Sequence, residues 1–147
     1  MEPHSYETHL EWVKGRKGQL EAAGLPILEV STPPEFKGDA GFWTPEHLFV
    51  AAEICLMATF LGIAENSRLA VSGYSSTARG KLEWFDGGGY RFTEINILPI
   101  IRLQNFEGAA RAARVMEKAS KGCLIANSMN TNVQVEPQFE TRPAVAA

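Results

Sequence analysis

The stretch TPEHLFVAAEICLMATFLGIAE, Thr44–Glu65, decides how the rest of the chain is read. Thr44 is a capping hydroxyl, Pro45 suits the first helical position, and Glu46 faces the positive end of the helix dipole. The pattern predicts a helix from there to Glu65 or Asn66. Its central part, Ala51–Ala64, is apolar nearly all round, so a helix here must be covered on every side. One layer of sheet covers one side only. The remainder calls either for a second copy of the chain or for the second helix and the loops.

Leu48–Ala64 is the most apolar run, but it is only 17 residues long and contains Glu53 and Thr59, which reads as a helix buried in protein rather than a membrane span. The whole chain has 147 residues, 45% apolar and 21% charged, with a formal charge of −3. These are the values of one globular domain with a core of moderate size. The acidic balance gives no basic footprint for nucleic acid and disfavours an anionic membrane surface. Met1–Glu7 has no basic segment followed by an apolar one, so the expected compartment is the reducing cytoplasm.

Upstream of the helix, Tyr6, Thr8, Leu10 and Trp12 alternate with His9, Glu11 and Val13, which predicts a strand. Lys14-Gly15-Arg16-Lys17-Gly18 is a tight turn, and short strands are expected at Gln19–Ala22 and Ile27–Ser31 before the Pro33-Pro34 break. Downstream, Leu69–Glu83 and Tyr90–Leu103 read as long strands joined around Asp86-Gly87-Gly88-Gly89. Pro99 argues for an edge or a bulge in the second. Asn105 can cap a second helix carrying Phe106, Ala109, Ala110, Ala113 and Met116 at helical spacing, with Gly122 as its stop. A last strand is expected over Asn132–Phe139, and residues 140–147 read as a frayed tail. The class is α+β, in the order strand, strand, strand, helix, strand, strand, helix, strand.

Two cysteines, Cys55 and Cys123, are 68 positions apart and lack the close spacing of a zinc site. A buried cysteine usually behaves as a small inert hydrophobe, and apolar burial raises its pKa. For Cys55 to react, a cation must be brought to it. Arg16, between two glycines, is the natural candidate, because a guanidinium stays charged when desolvated. It reads equally as a solvated hairpin tip.

The segments KGRKG, STPPEFKG, TPEHLFVAAEICLMATFLGIAE and EKASKGCLIANSMNTNVQVEP together resemble the OsmC/Ohr family of thiol-dependent hydroperoxide reductases. The likeness runs from about Val13 to Val135. It implies an intertwined homodimer with antiparallel sheets around two long central helices, which would supply the second copy. It also implies Cys55 as the peroxidatic thiol, Cys123 as the resolving thiol, Arg16 as the cation beside the thiolate and Glu46 as the carboxylate that orients it. The implied partners are a small-molecule hydroperoxide and an external dithiol reductant, with no metal, flavin or haem.

Two features depart from the family pattern. Glu46 precedes Cys55 by nine positions rather than ten, which on a straight helix at about 100° per residue sets the two roughly opposite each other. His47, roughly 80° from Cys55 on the same helix, is an outside candidate for a polar partner and otherwise an exposed first-turn residue. Cys123 is followed by Leu124-Ile125-Ala126, where many members carry proline and serine. Apolar walls expected from Phe36, Phe42, Trp43, Leu56 and Phe60 would favour organic hydroperoxides. The competing reading is an OsmC-like dimeric binding protein for a small apolar ligand with little turnover; a third is a structural dimer with inert thiols.

Overall fold

Alternating and helical patterns resolve into two units, residues 1–49 and 50–147, in a computed structural model that describes residues 2–141 apart from the Phe106 side chain. In the first unit, β1 (His9–Lys14), β2 (Lys17–Glu21) and β3 (Leu28–Ser31) form an antiparallel sheet in that order. Gly15, at φ 59°, makes the turn, and the Trp12 indole donates to its carbonyl at 2.9 Å. The first strand starts at His9 rather than Tyr6 because His9 pairs with Glu21, the last residue of β2. Tyr6 is left without a ladder partner and is 94% exposed.

After a 3₁₀ turn at Pro34–Phe36 the chain enters α1 (Pro45–Val50) as expected. The Thr44 hydroxyl accepts the His47 amide at 3.1 Å and lies 2.8 Å from His47 Nδ1.

The second unit holds α2 (Glu53–Asn66), the long hairpin of β4 (Val71–Phe85) and β5 (Gly89–Leu103), α3 (Ala109–Gly122), the short α4 (Leu124–Asn127), β6 (Asn132–Val135) and β7 (Gln138–Thr141). The expected single helix is broken at Ala51–Ala52, where Ile54 and Cys55 donate to carbonyls only three residues back. Both sides of the break are anchored on β4. Val50 fills the space that a Cβ on Gly80 would occupy, and Ser76 Oγ donates to Glu53 Oε2 at 2.5 Å. Gly80 and Ser76 lie about 13 Å apart on an extended strand. Val50 to Glu53 would advance only about 4.5 Å in a regular helix. The looser turn accommodates both anchors.

Within the second unit, β5 turns Ile95, Ile97, Pro99, Ile101 and Leu103 inward at period two, all buried. Helix α2 buries Leu56, Phe60 and Ala64 at four-residue steps, and α3 answers with Ala112, Val115, Met116 and Ala119. These two helices pack together, and α2 packs on β4. Ile54, Met57 and Leu61 of α2 remain 63%, 36% and 38% exposed. Pro45–Asn66 is long and apolar enough to meet the length and hydropathy of a membrane span.

The last expected strand is two. Both β6 and β7 run parallel to β5, so this sheet is mixed rather than wholly antiparallel. Residues 94–97 of β5 take β6, residues 100–103 take β7, and Glu136 donates to the Ile97 carbonyl at 2.9 Å. Backbone groups alternate in direction along a strand, so Pro99 faces the same side as Ile97. Its missing N–H thus falls where the chain passes from β6 to β7, rather than at an edge or a bulge. Glu140 and Thr141, read from the sequence as tail, belong to β7; residues 142–147 lie outside the described residues. The second helix starts later than its Asn105 cap suggested, because Phe106–Gly108 forms a 3₁₀ turn.

Candidate active site

Cys55 lies in the first turn of α2, and Cys123 lies between α3 and α4 with φ −68° and ψ 106°. Because the start of α2 meets the end of α3, residues distant in the sequence become neighbours. Thr59, one helical turn beyond Cys55, donates to the Cys55 carbonyl at 2.8 Å and sits 4.0 Å from its sulfur. The end of α3 lies close by: a Cβ on Gly122 would sit in ordinary contact with Thr59 Cγ2, at 3.8 Å. Both thiols are free; Cys55 is half-buried and Cys123 is 2% exposed.

The two sulfurs titrate in opposite directions. Burial pushes the Cys55 thiol up, but hydrogen bonds from the Ile125 amide, the Cys123 thiol, the Thr59 hydroxyl and the Leu124 amide outweigh it, leaving Cys55 below its ordinary 9.0. Burial likewise raises Cys123, and here the Ala126 and Ile125 amides do not offset it, because donating to Cys55 and facing its charge both favour the protonated form. Of the two, Cys55 therefore ionises first, with Cys123 still protonated beside it. Cys55 is the better nucleophile of the two, and Cys123 is the donor beside it.

Tyr74, on β4, stacks its ring at 5.7 Å from Phe60. Its hydroxyl is buried and has no hydrogen-bond partner among the described residues. Burial, then the nearby charges of Glu53 and Cys123, push its pKa up to about 12. Thr59 was within reach of sequence reasoning, since it is four residues from Cys55 on one helix face. Tyr74 carried no local signal, because its relation to the thiols depends on how β4 lies against α2.

In the first unit, Arg16 is exposed and its Nη1 donates to the Phe36 carbonyl at 3.3 Å. It lines a cavity of about 400 Å³ with Leu10, Trp12, Lys17, Val30 and Pro45. Glu46 Oε2 is buried and has no hydrogen-bond partner among the described residues. Among the described residues no ion pair joins Arg16 to Glu46. The contact that the resemblance implies is not made here, since the guanidinium is turned to a backbone carbonyl instead.

His47 is exposed, bonded to Thr44 and edge-on to Trp43 at 6.3 Å. Of the expected apolar walls, Leu56 and Phe60 are core residues, 1% and 0% exposed, while Trp43 is 52% exposed and Phe42 lies under the Lys17 ammonium. Among the described residues no three His, Cys, Asp or Glu side chains gather as a metal site would require.

The profile of the OsmC-like proteins matches residues 38–138, which include α1 to α4 and both cysteines. The chain belongs to the OsmC-like family. Solved structures agree with this OsmC-like fold. An OsmC-like protein of unknown function from Vibrio cholerae is 24% identical, with a TM-score of 0.84 over 92% of this chain and 99% of that one. An organic hydroperoxide resistance protein OsmC from Legionella pneumophila is 21% identical, with a TM-score of 0.71 over 95% and 99%. An organic hydroperoxide resistance protein from Elizabethkingia anophelis is 20% identical, with a TM-score of 0.74 over 96% and 99%. No curated protein sequence matches the OsmC-like chain significantly.

Proposed function

We propose that this OsmC-like chain is a cysteine-based peroxidase that reduces organic hydroperoxides to alcohols. The observation that carries the reading is the Cys55–Cys123 pair, with one sulfur held towards thiolate and its neighbour held as a thiol. Two structurally similar proteins named for organic hydroperoxide resistance add support.

In the first step the Cys55 thiolate attacks the distal oxygen of the hydroperoxide. The O–O bond breaks, and the departing alkoxide takes a proton to leave as alcohol, so that Cys55 becomes a sulfenic acid. Cys123 then attacks the Cys55 sulfur, an S–S bond forms, and the sulfenic oxygen leaves as water. An external dithiol supplies the two electrons that return the disulfide to two thiols. Arg16 would polarise the peroxide and stabilise the thiolate, with Glu46 holding the guanidinium through a charge-assisted contact. The buried Glu46 oxygen is an acceptor in need of such a donor. The working form is a cytoplasmic homodimer whose second copy covers Ile54, Met57 and Leu61.

That no ion pair joins Arg16 to Glu46 among the described residues favours a second reading, a dimeric binding protein for a small apolar ligand with little turnover. Thiol counts before and after one equivalent of cumene hydroperoxide separate the two. Rapid loss of both thiols, with Cys123 spared in Cys55→Ser and Cys55 still oxidised in Cys123→Ser, is expected of the peroxidase. Two thiols unchanged after an hour would leave the binding protein.

A further inference from the structure

Because α2 and α3 run antiparallel with the cysteines at one end, the other end brings together the residues after α2 and those before α3. There the chain lines a cavity of about 420 Å³, within the size range of small-molecule sites. Three arginines, Arg68, Arg111 and Arg114, line it, with Asn105 and a single acidic residue, Glu107. Arg111 is fixed by donating to the Arg68 carbonyl at 2.9 Å. Among the described residues no carboxylate lies within ion-pairing distance of any of the three arginines.

The first turn of α3 opens on the same cavity. Its N-cap, Gly108, offers no side-chain acceptor, and the first turn has no acidic residue. Leu69 packs where a side chain on Gly108 would go, 3.2 Å from the position of a Cβ, and together with Leu103 gives the cavity an aliphatic floor. Three cations against one carboxylate leave an excess of two positive charges, at the N-terminal end of α3. A monoanion would neutralise half of that excess. A dianion with several acceptor oxygens matches all of it, and guanidinium groups suit its geometry.

We propose that this cavity binds a small phosphate monoester, the phosphate held by Arg68, Arg111 and Arg114 and the organic body resting on Leu69 and Leu103. The site is separate from the thiol pair, at the far end of a helix pair about 20 Å long. It is independent of whether the thiols turn over.

The test is calorimetric titration of the full reduced chain with phenyl phosphate, at constant ionic strength in chloride. Saturable binding of one equivalent is expected, weakened about tenfold by Arg111→Ala and by Arg114→Ala. Arg114 makes no bond within the described chain, so its replacement leaves the fold intact. Arg79→Ala, an exposed arginine on β4, is expected to bind as the parent does. Affinity should rise between about pH 5 and 7, as the monoester loses its second proton. The proposal is overturned by absence of saturation at millimolar phenyl phosphate, by Arg114→Ala binding as the parent does, by benzoate binding equally well, or by inorganic phosphate binding as tightly as the monoester.

Discussion

The Tyr74 hydroxyl is a buried donor with no acceptor among the described residues, near the charges of Glu53 and Cys123. Removing an unsatisfied polar atom while keeping the ring should help the fold, so Tyr74→Phe is expected to raise stability by about 1 kcal/mol, measured by urea unfolding. The direction of its pKa gives the pH dependence. The folded state keeps the phenolic proton up to about 12, whereas the unfolded chain releases it near 10.0. Between those values the native state binds more protons, so stability falls as pH rises, and Tyr74→Phe should lose that part of the decline. The thiol site was legible in part at this scale. Resemblance singled out Cys55 and Cys123, and Thr59 follows from helical spacing. The amides that lower Cys55 belong to Leu124 and Ile125, and their direction comes from a chain turn that side-chain identities do not specify.

At the scale of elements, the step from α3 to α4 sets the chemistry of both sulfurs. Alkylation of the reduced chain with iodoacetamide is expected to modify Cys55 first, at a rate that rises with pH to a plateau through a midpoint below 9.0. Thr59→Val should move that plateau to higher pH, because one of the groups that lowers Cys55 is removed. Mass spectrometry of the alkylated peptides checks both outcomes, and Cys123 reacting first would refute the assignment of roles. Elements whose limits are set locally were readable: the Thr44 cap, the glycine turn of the long hairpin and the stop at Gly122. The break at Ala51–Ala52 was not, because its causes, Gly80 and Ser76, lie on a strand far along the chain. The division into β6 and β7 was equally hidden, since Pro99 shows a missing donor without showing which neighbour goes without it.

For the molecule as a whole, the apolar circumference of Ala51–Ala64 is only partly used by one copy. Ile54, Met57 and Leu61 stay in contact with solvent, and a second copy is the proposed cover. Sedimentation of the parent should report a dimer, and Met57→Glu should shift it to monomer at the same concentration, since an unpaired carboxylate in an apolar interface is costly. A monomeric parent would remove the dimer from the proposal.

The adjacency of Cys55 and Cys123 has a mechanical side as well. A bond between sulfurs 68 positions apart would close nearly half the chain into a ring. By the loss of freedom in the unfolded chain alone, that closure is worth about 4 kcal/mol. The oxidised form should then melt roughly 10 °C above the reduced form, so a melting curve would report the redox state of the protein without any substrate.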